Sequence, residues 1–89
     1  MMKLRNDITL RKVGKEYIIV DPSQDMVDMS KVFTLNETAA FLWNELQGID
    51  FELEDMINLL LDNYETEREV AEKDSIKLIE MLQNGNLTI

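Results

Sequence analysis

Residues 31–43 read Lys-Val-Phe-Thr-Leu-Asn-Glu-Thr-Ala-Ala-Phe-Leu-Trp, and their pattern changes at Asn36 from that of a strand to that of a helix. Before Asn36 the side chains alternate, so that Phe33 and Leu35 share one face of an extended segment. Asn36 is a favourable helix N-cap, and Glu37 follows it at the positive end of the helix dipole. The sequence therefore predicts a strand that leads directly into a helix.

Two further strands are predicted before this junction. Residues 8–13 alternate loosely, and residues 17–20 are rich in β-branched and aromatic side chains. Gly14 and Lys15 lie between them and offer the positive φ that a tight hairpin requires. Together with the strand at residues 31–35, these segments predict a small three-stranded antiparallel sheet.

Three helices are predicted after the junction, over residues 37–47, 52–63 and 67–83. Each has apolar residues at helical spacing, and Gly48 and Gly85 supply stop signals. The predicted fold class is α+β, a three-stranded antiparallel sheet followed by a three-helix bundle, similar to a winged helix-turn-helix, in one domain over residues 1–89. The predicted apolar stripes comprise Ala39, Leu42, Trp43 and Leu46, then Leu53, Met56, Ile57, Leu60 and Tyr64, then Ala71, Ser75, Leu78, Ile79 and Leu82.

The composition argues against several classes of function. The 89 residues include no Cys and no His, which removes thiolate metal sites, disulfides, cysteine nucleophiles and the commonest general base. The glycines are scattered and form no phosphate-binding loop, and the acidic residues miss the calcium-loop spacing. We therefore expect no enzyme activity, no metal site and no cofactor.

Charge divides the chain unevenly around a net charge of −9. Residues 1–35 carry six basic and five acidic side chains, whereas residues 36–89 carry three basic and thirteen acidic ones. Helices of this sign repel phosphate backbones and anionic lipid, so we expect neither nucleic acid nor membrane as a partner. Because no apolar run could span a bilayer and the first ten residues lack a signal-peptide pattern, we expect a cytoplasmic protein.

A binding module is the function class that these observations leave. A small sheet with a free edge can recognise an extended peptide by adding it as a strand. If residues 31–35 form the outermost strand, Val70, Asp74, Lys77 and Met81 on the third helix could form the second wall of a groove. The spacing alone favours the simpler interpretation that these four are ordinary boundary positions.

Residues 33–43 strongly resemble the PqqD family, the peptide-binding proteins of pyrroloquinoline quinone synthesis. In that family a strand ends in a turn similar to Leu-Asn-Glu-Thr-Ala, and an apolar helix with Trp or a similar residue follows. The resemblance extends over most of the chain. It includes Gly14 with residues 17–20, Phe51 with Leu53, Leu59, Leu60 and Tyr64, and Ala71, Asp74, Leu78, Leu82, Gly85 and Leu87.

The resemblance implies a recognition element for ribosomally synthesised, modified peptides. Such domains bind the leader segment of a precursor peptide and present it, as peptide chaperones, to a modifying enzyme that is often a radical S-adenosylmethionine protein. Carried over to this chain, the leader would pair as an extra strand along the third predicted strand and lie against the third helix. The residues implied are Lys31, Val32, Phe33, Thr34 and Leu35, with Val70, Asp74, Lys77 and Met81.

Three points stay open at this level. Residues 21–30 form a longer and more acidic segment than a minimal hairpin of the family needs, and a solvated insertion is favoured over a role in steering a basic leader. The alternative function is an acidic scaffold or adaptor that docks on a basic protein partner, and a winged-helix DNA-binding protein is disfavoured by charge. A homodimer through the edge strand is also open.

Overall fold

The computed structural model describes residues 1–20 and 32–89. This part of the chain forms five strands and three helices. The strands are β1 (Met2–Lys3), β2 (Thr9–Val13), β3 (Glu16–Val20), β4 (Val32–Leu35) and β5 (Asp50–Phe51), and the helices are α1 (Glu37–Glu45), α2 (Leu53–Asn63) and α3 (Arg68–Asn84).

The main sheet contains three antiparallel strands in the order β2-β3-β4. Gly14, at a φ of +63°, begins the two-residue turn between β2 and β3, where Val13 lies opposite Glu16. This left-handed conformation is one that glycine adopts without strain. The predicted α+β fold, a three-stranded sheet followed by three helices, is confirmed, and it places β4 at an edge of the sheet.

Local capping explains where the helices begin. The Oδ1 atom of Asn36 accepts a hydrogen bond from the N–H of Ala39 at 2.8 Å, so α1 starts where β4 ends. At the start of α2, the carboxylate of Asp55 accepts the N–H of Glu52 at 2.8 Å. The Asn36 cap therefore places the first turn of α1 directly after β4.

The core lies between one face of the sheet and the three helices. It includes most of the residues predicted from helical spacing, but Leu53, Tyr64 and Ile79 are only half-buried, and α1 shows one exchange. Ala40 of α1 is buried, whereas Ala39, which the predicted stripe included, is only half-buried. The buried side chains are Leu4, Ile8, Ile19, Leu35, Ala40, Leu42, Trp43, Leu46, Phe51, Met56, Ile57, Leu60, Ala71, Ser75, Leu78, Leu82 and Leu87.

A second, two-stranded pairing was not predicted from the sequence. β1 pairs antiparallel with β5, so that Met2 lies opposite Phe51. The N–H of Ile89 donates to the carbonyl of Lys3 at 2.8 Å, and Leu4 forms an isolated bridge with Thr88. These contacts hold the first residues against both β5 and the final segment of the chain.

The element boundaries agree with the predicted ones to within one residue at most positions. α1 ends at Glu45 rather than at residue 47, because the backbone turns through Gly48 at a φ of +77° toward β5. Lys31 and the acidic segment at residues 21–30 lie outside the described residues. No helix within residues 1–20 and 32–89 has both the length and the hydropathy needed to cross a bilayer.

An ion pair joins α2 to α3 on the surface. Nη2 of Arg68, at the start of α3, lies 2.6 Å from Oε2 of Glu54 in the first turn of α2. The hydrogen bond that the Arg68 guanidinium donates to this carboxylate raises the pKa of the guanidinium above its ordinary value. Both side chains are more than half exposed, so the pair contributes orientation more than stability.

Candidate functional site

A groove of about 180 Å³ separates the junction of β4 and α1 from the middle of α3. Its floor is apolar and its rim carries polar groups together with one carboxylate and one ammonium group. The lining residues are Thr34, Leu35, Asn36, Thr38, Ala39 and Leu42 on one side, and Asp74, Lys77, Leu78 and Met81 on the other.

The α3 wall follows from helical geometry. Asp74, Lys77, Leu78 and Met81 are spaced so that they project from one side of the helix, one turn after another. Leu78 is buried in the core, Asp74 and Met81 are half-buried, and Lys77 is exposed. The wall therefore offers apolar surface with one charge of each sign at its rim.

The opposite wall depends on the capped start of α1. Oδ1 of Asn36 accepts from the hydroxyl of Thr38 at 3.0 Å as well as from the backbone of Ala39. These bonds fix the polar rim, while Ala39 and Leu42 continue the apolar floor below it. Ala39 leaves open space at a position where a larger side chain would narrow the groove.

The hairpin determines which backbone groups of β4 face outward. Residues that flank a two-residue turn exchange both of their hydrogen bonds, so Glu16, after Gly14 and Lys15, bonds toward β2. Bonded and non-bonded pairs alternate along an antiparallel ladder. Consequently Tyr17 and Ile19 direct their backbone hydrogen bonds toward β4.

The partners of these two residues on β4 are Leu35 and Phe33. The N–H and C=O groups of Leu35 and Phe33 are therefore used within the sheet. By the same alternation, the backbone groups of Val32 and Thr34 point away from β3. Since β4 ends the strand order, no strand in the described part of the chain pairs with them.

Phe33 has a structural role in this arrangement. Its ring is half-buried and packs on Gly85 at the end of α3, where an added Cβ atom would lie 2.6 Å from Cζ of the ring. Gly85 is thus a point of close approach between a helix end and an aromatic ring. The contact holds β4 beside α3 and keeps the groove between them.

The structure brings five of the predicted site residues together around the groove: Thr34, Leu35, Asp74, Lys77 and Met81. Val32 is in β4, and Phe33 packs on the helix end. Val70 is 47% exposed and is not part of the lining. Lys31 lies outside the described residues.

Sequence reasoning missed the contribution of α1. It treated Asn36, Thr38, Ala39 and Leu42 as residues of the helix start and the core. The signal was nevertheless present, because a helix that begins immediately after an edge strand must place its first turn beside that edge. Outward backbone groups, an apolar floor and rim charges of both signs are features that suit an extended chain.

Comparison with known proteins gives a family and two similar folds. Residues 16–87 match the family described as coenzyme PQQ synthesis protein D (PqqD). No curated protein matches the sequence. A lasso peptide synthetase B1 complexed with its leader peptide is 24% identical, with a TM-score of 0.69 over 99% of this chain and 96% of the other.

A second solved structure is TbiB1 in complex with the TbiA(beta) leader peptide. It is 17% identical to this chain, with a TM-score of 0.71, and the similarity covers 98% of this chain and 94% of the other. At these identities the two structures establish a shared fold over nearly the whole of both chains.

Proposed function

Because the chain belongs to the PqqD family, we propose that it is a non-catalytic module that recognises the leader segment of a ribosomally synthesised precursor peptide. The leader adds to β4 as a further strand and places side chains in the groove. The observation that carries this proposal is the coincidence of an unpaired edge with a groove. The outward backbone groups of Val32 and Thr34 lie beside the groove, and α3 forms the other wall of that groove.

The two similar solved structures support the same conclusion, since both of those proteins hold a leader peptide. In this chain, strand addition supplies affinity through backbone hydrogen bonds, and the groove supplies selectivity through side-chain fit. The proposed contact residues are Lys31, Val32, Phe33, Thr34, Leu35, Val70, Asp74, Lys77 and Met81, with Asn36, Thr38, Ala39 and Leu42 added from α1.

The proposed mechanism is positional. By holding the leader, the module raises the effective concentration of the adjoining core peptide at the active site of a modifying enzyme. We propose a radical S-adenosylmethionine enzyme as that partner, as the family resemblance implies. A leader that orders on binding loses conformational entropy, so we expect micromolar affinity, roughly −8 kcal/mol.

The direct test is an NMR titration of the ¹⁵N-labelled protein with the leader of a small peptide encoded beside its gene. We expect chemical-shift changes concentrated on residues 32–42 and 74–81, where the edge and the groove meet. Unchanged spectra at millimolar peptide would contradict leader recognition.

A matched pair of proline variants tests strand addition itself. Thr34→Pro removes an N–H that points outward from β4, and the ladder with β3 keeps its hydrogen bonds. Lys12→Pro makes the equivalent change on β2, at the opposite edge of the sheet. We expect leader binding to weaken about tenfold in Thr34→Pro and to stay at the wild-type level in Lys12→Pro. Equal effects of the two variants on affinity, with both folded by circular dichroism, would exclude pairing along β4.

A further inference from the structure

A second depression, of about 300 Å³, lies at the other end of α1. We call it the acidic hollow. It shares no lining residue with the groove, although Leu42 of the groove and Glu45 of the hollow are only about one turn apart on α1. The hollow is lined by Glu45, Leu46, Ile49, Asp50, Asp55, Asn58, Leu59 and Asp62.

The lining combines apolar surface with charge of a single sign. Leu46 forms the buried floor, Leu59 is half-buried, and Ile49 is 48% exposed at the rim. Four of the eight lining residues are carboxylates, and none is basic. An exposed isoleucine surrounded by carboxylates favours a partner that presents an apolar side chain between basic ones.

Two of these carboxylates occupy positions that are unfavourable for the fold. Glu45 is the last residue of α1, and Asp62 is the penultimate residue of α2. Negative charge at a helix C-terminus opposes the helix dipole, and neither helix has a basic residue in its last turn. A local rule broken twice around one depression indicates selection for something other than stability.

We infer that the acidic hollow docks a basic segment of a protein partner, in which lysine or arginine side chains surround an apolar one. The partner's apolar side chain rests on Ile49 and Leu59, and its cations face Glu45 and Asp62. Because the hollow and the groove share no lining residue, this docking leaves the groove open. The inference goes beyond leader recognition and does not depend on it.

The first test uses two short synthetic helical peptides of equal positive charge, one built from lysine and leucine and the other from lysine and serine. We expect the lysine–leucine peptide to shift NMR resonances of residues 45–62 and to leave residues 74–81 unchanged. We expect weaker binding of the lysine–serine peptide, and Ile49→Ser should remove the difference between the two. Equal affinities for wild-type protein, or shifts spread over all acidic surfaces, would overturn the inference.

The second test separates the hollow from general acidity. Glu45→Gln with Asp62→Asn should weaken the lysine–leucine peptide roughly fivefold, whereas Glu72→Gln with Glu80→Gln removes the same charge in the middle of α3 and should change affinity much less. The first variant should also melt at a higher temperature than wild type, since it relieves both helix ends. A lower melting temperature, or equal weakening by the two variants, would count against the hollow.

A second copy of this chain is a competing occupant of the acidic hollow, and sedimentation tests for it. If sedimentation shows a wild-type dimer that Glu45→Gln with Asp62→Asn dissociates, a second copy fills the hollow and the inference is wrong. A leader titration in the same variants distinguishes the two proposals. Leader binding should be unchanged when the hollow is altered.

Discussion

The two edges of the main sheet differ in how readily a further strand can pair with them. β2 presents Arg11 and Lys12 at exposed positions, with Lys15 in the adjoining turn. Charged side chains on an edge strand, lysine above all, discourage pairing with a further chain. β4 has no charged residue in its four positions, and its outward backbone groups lie beside the groove. The β2 edge is therefore protected against pairing with a further strand, whereas the β4 edge is open to it.

Anchoring differs between the edges as well. Leu35 of β4 is buried, and the ring of Phe33 packs on Gly85, so the open edge is fixed to the helices. Val13 of β2 is 57% exposed, and Nζ of Lys12 lies 5.6 Å from the centroid of the Tyr17 ring. A strand that offers its backbone to a ligand benefits from rigid side-chain packing, because less conformational freedom is then lost on binding.

Truncating Leu35, the buried residue that fixes β4 to the helices, should produce the largest difference in stability between the two edges. We expect Leu35→Ala to lower the free energy of unfolding by about 2–5 kcal/mol, since it leaves a cavity under β4. Val13→Ala, its counterpart on the exposed strand, should stay within about 0.5 kcal/mol of wild type. Urea denaturation followed by circular dichroism measures both values. Similar losses in the two variants would mean that β4 is not the anchored edge.

Adding a methyl group at Gly85, where the Phe33 ring packs on the end of α3, should have a smaller effect on stability. Gly85→Ala adds a Cβ atom where the ring of Phe33 lies, so either the ring or β4 must move. We expect a loss of about 1 kcal/mol in unfolding free energy and weaker leader binding. Combining it with Phe33→Leu, which shortens the opposing side chain, should recover part of both. If Gly85→Ala alone leaves stability and binding unchanged, the contact does not position the edge.

Removing the protection on β2 should produce the smallest effect. We expect Arg11→Thr with Lys12→Thr to open a second edge and cause weak, concentration-dependent association in sedimentation velocity. Leader binding at β4 should remain at the wild-type level. Lys3→Thr with Lys73→Thr is the control, because it changes net charge equally without touching this edge. Identical sedimentation of all three proteins would show that the basic residues do not protect β2.

The sequence was informative wherever structure depends on neighbouring residues. Asn36 marked the start of α1, Gly14 marked the hairpin, and helical spacing identified the core side of α3. The resemblance to the PqqD family implied Val70, Asp74, Lys77 and Met81 as one wall of a groove, and the last three of these line the groove in the structure. The strand order was not accessible in this way, because it is fixed by pairings between residues far apart in the chain.

The long distance in sequence between pairing residues also explains why the pairing of β1 with β5 was not predicted. β1 and β5 contain two residues each, too few for any periodic pattern, and they pair across about half the length of the chain. The exchange of Ala39 for Ala40 in the core has a different cause. Helical spacing defines a stripe but not its rotation relative to a neighbouring strand, so Ala39 turned out to face the groove.

The hydrogen bond from Ile89 to Lys3 gives the polypeptide the geometry of an almost closed ring. Met1 directly precedes β1 and Ile89 bonds to it, so residues 1 and 89 both lie beside β1. A short linker could therefore join them, and a new start placed at the exposed turn after Val13 would give a circular permutant in which β4, α1 and α3 keep their connections. A tether attached to Met1 or to Ile89 would leave the molecule close to β1, whichever of the two residues carried it.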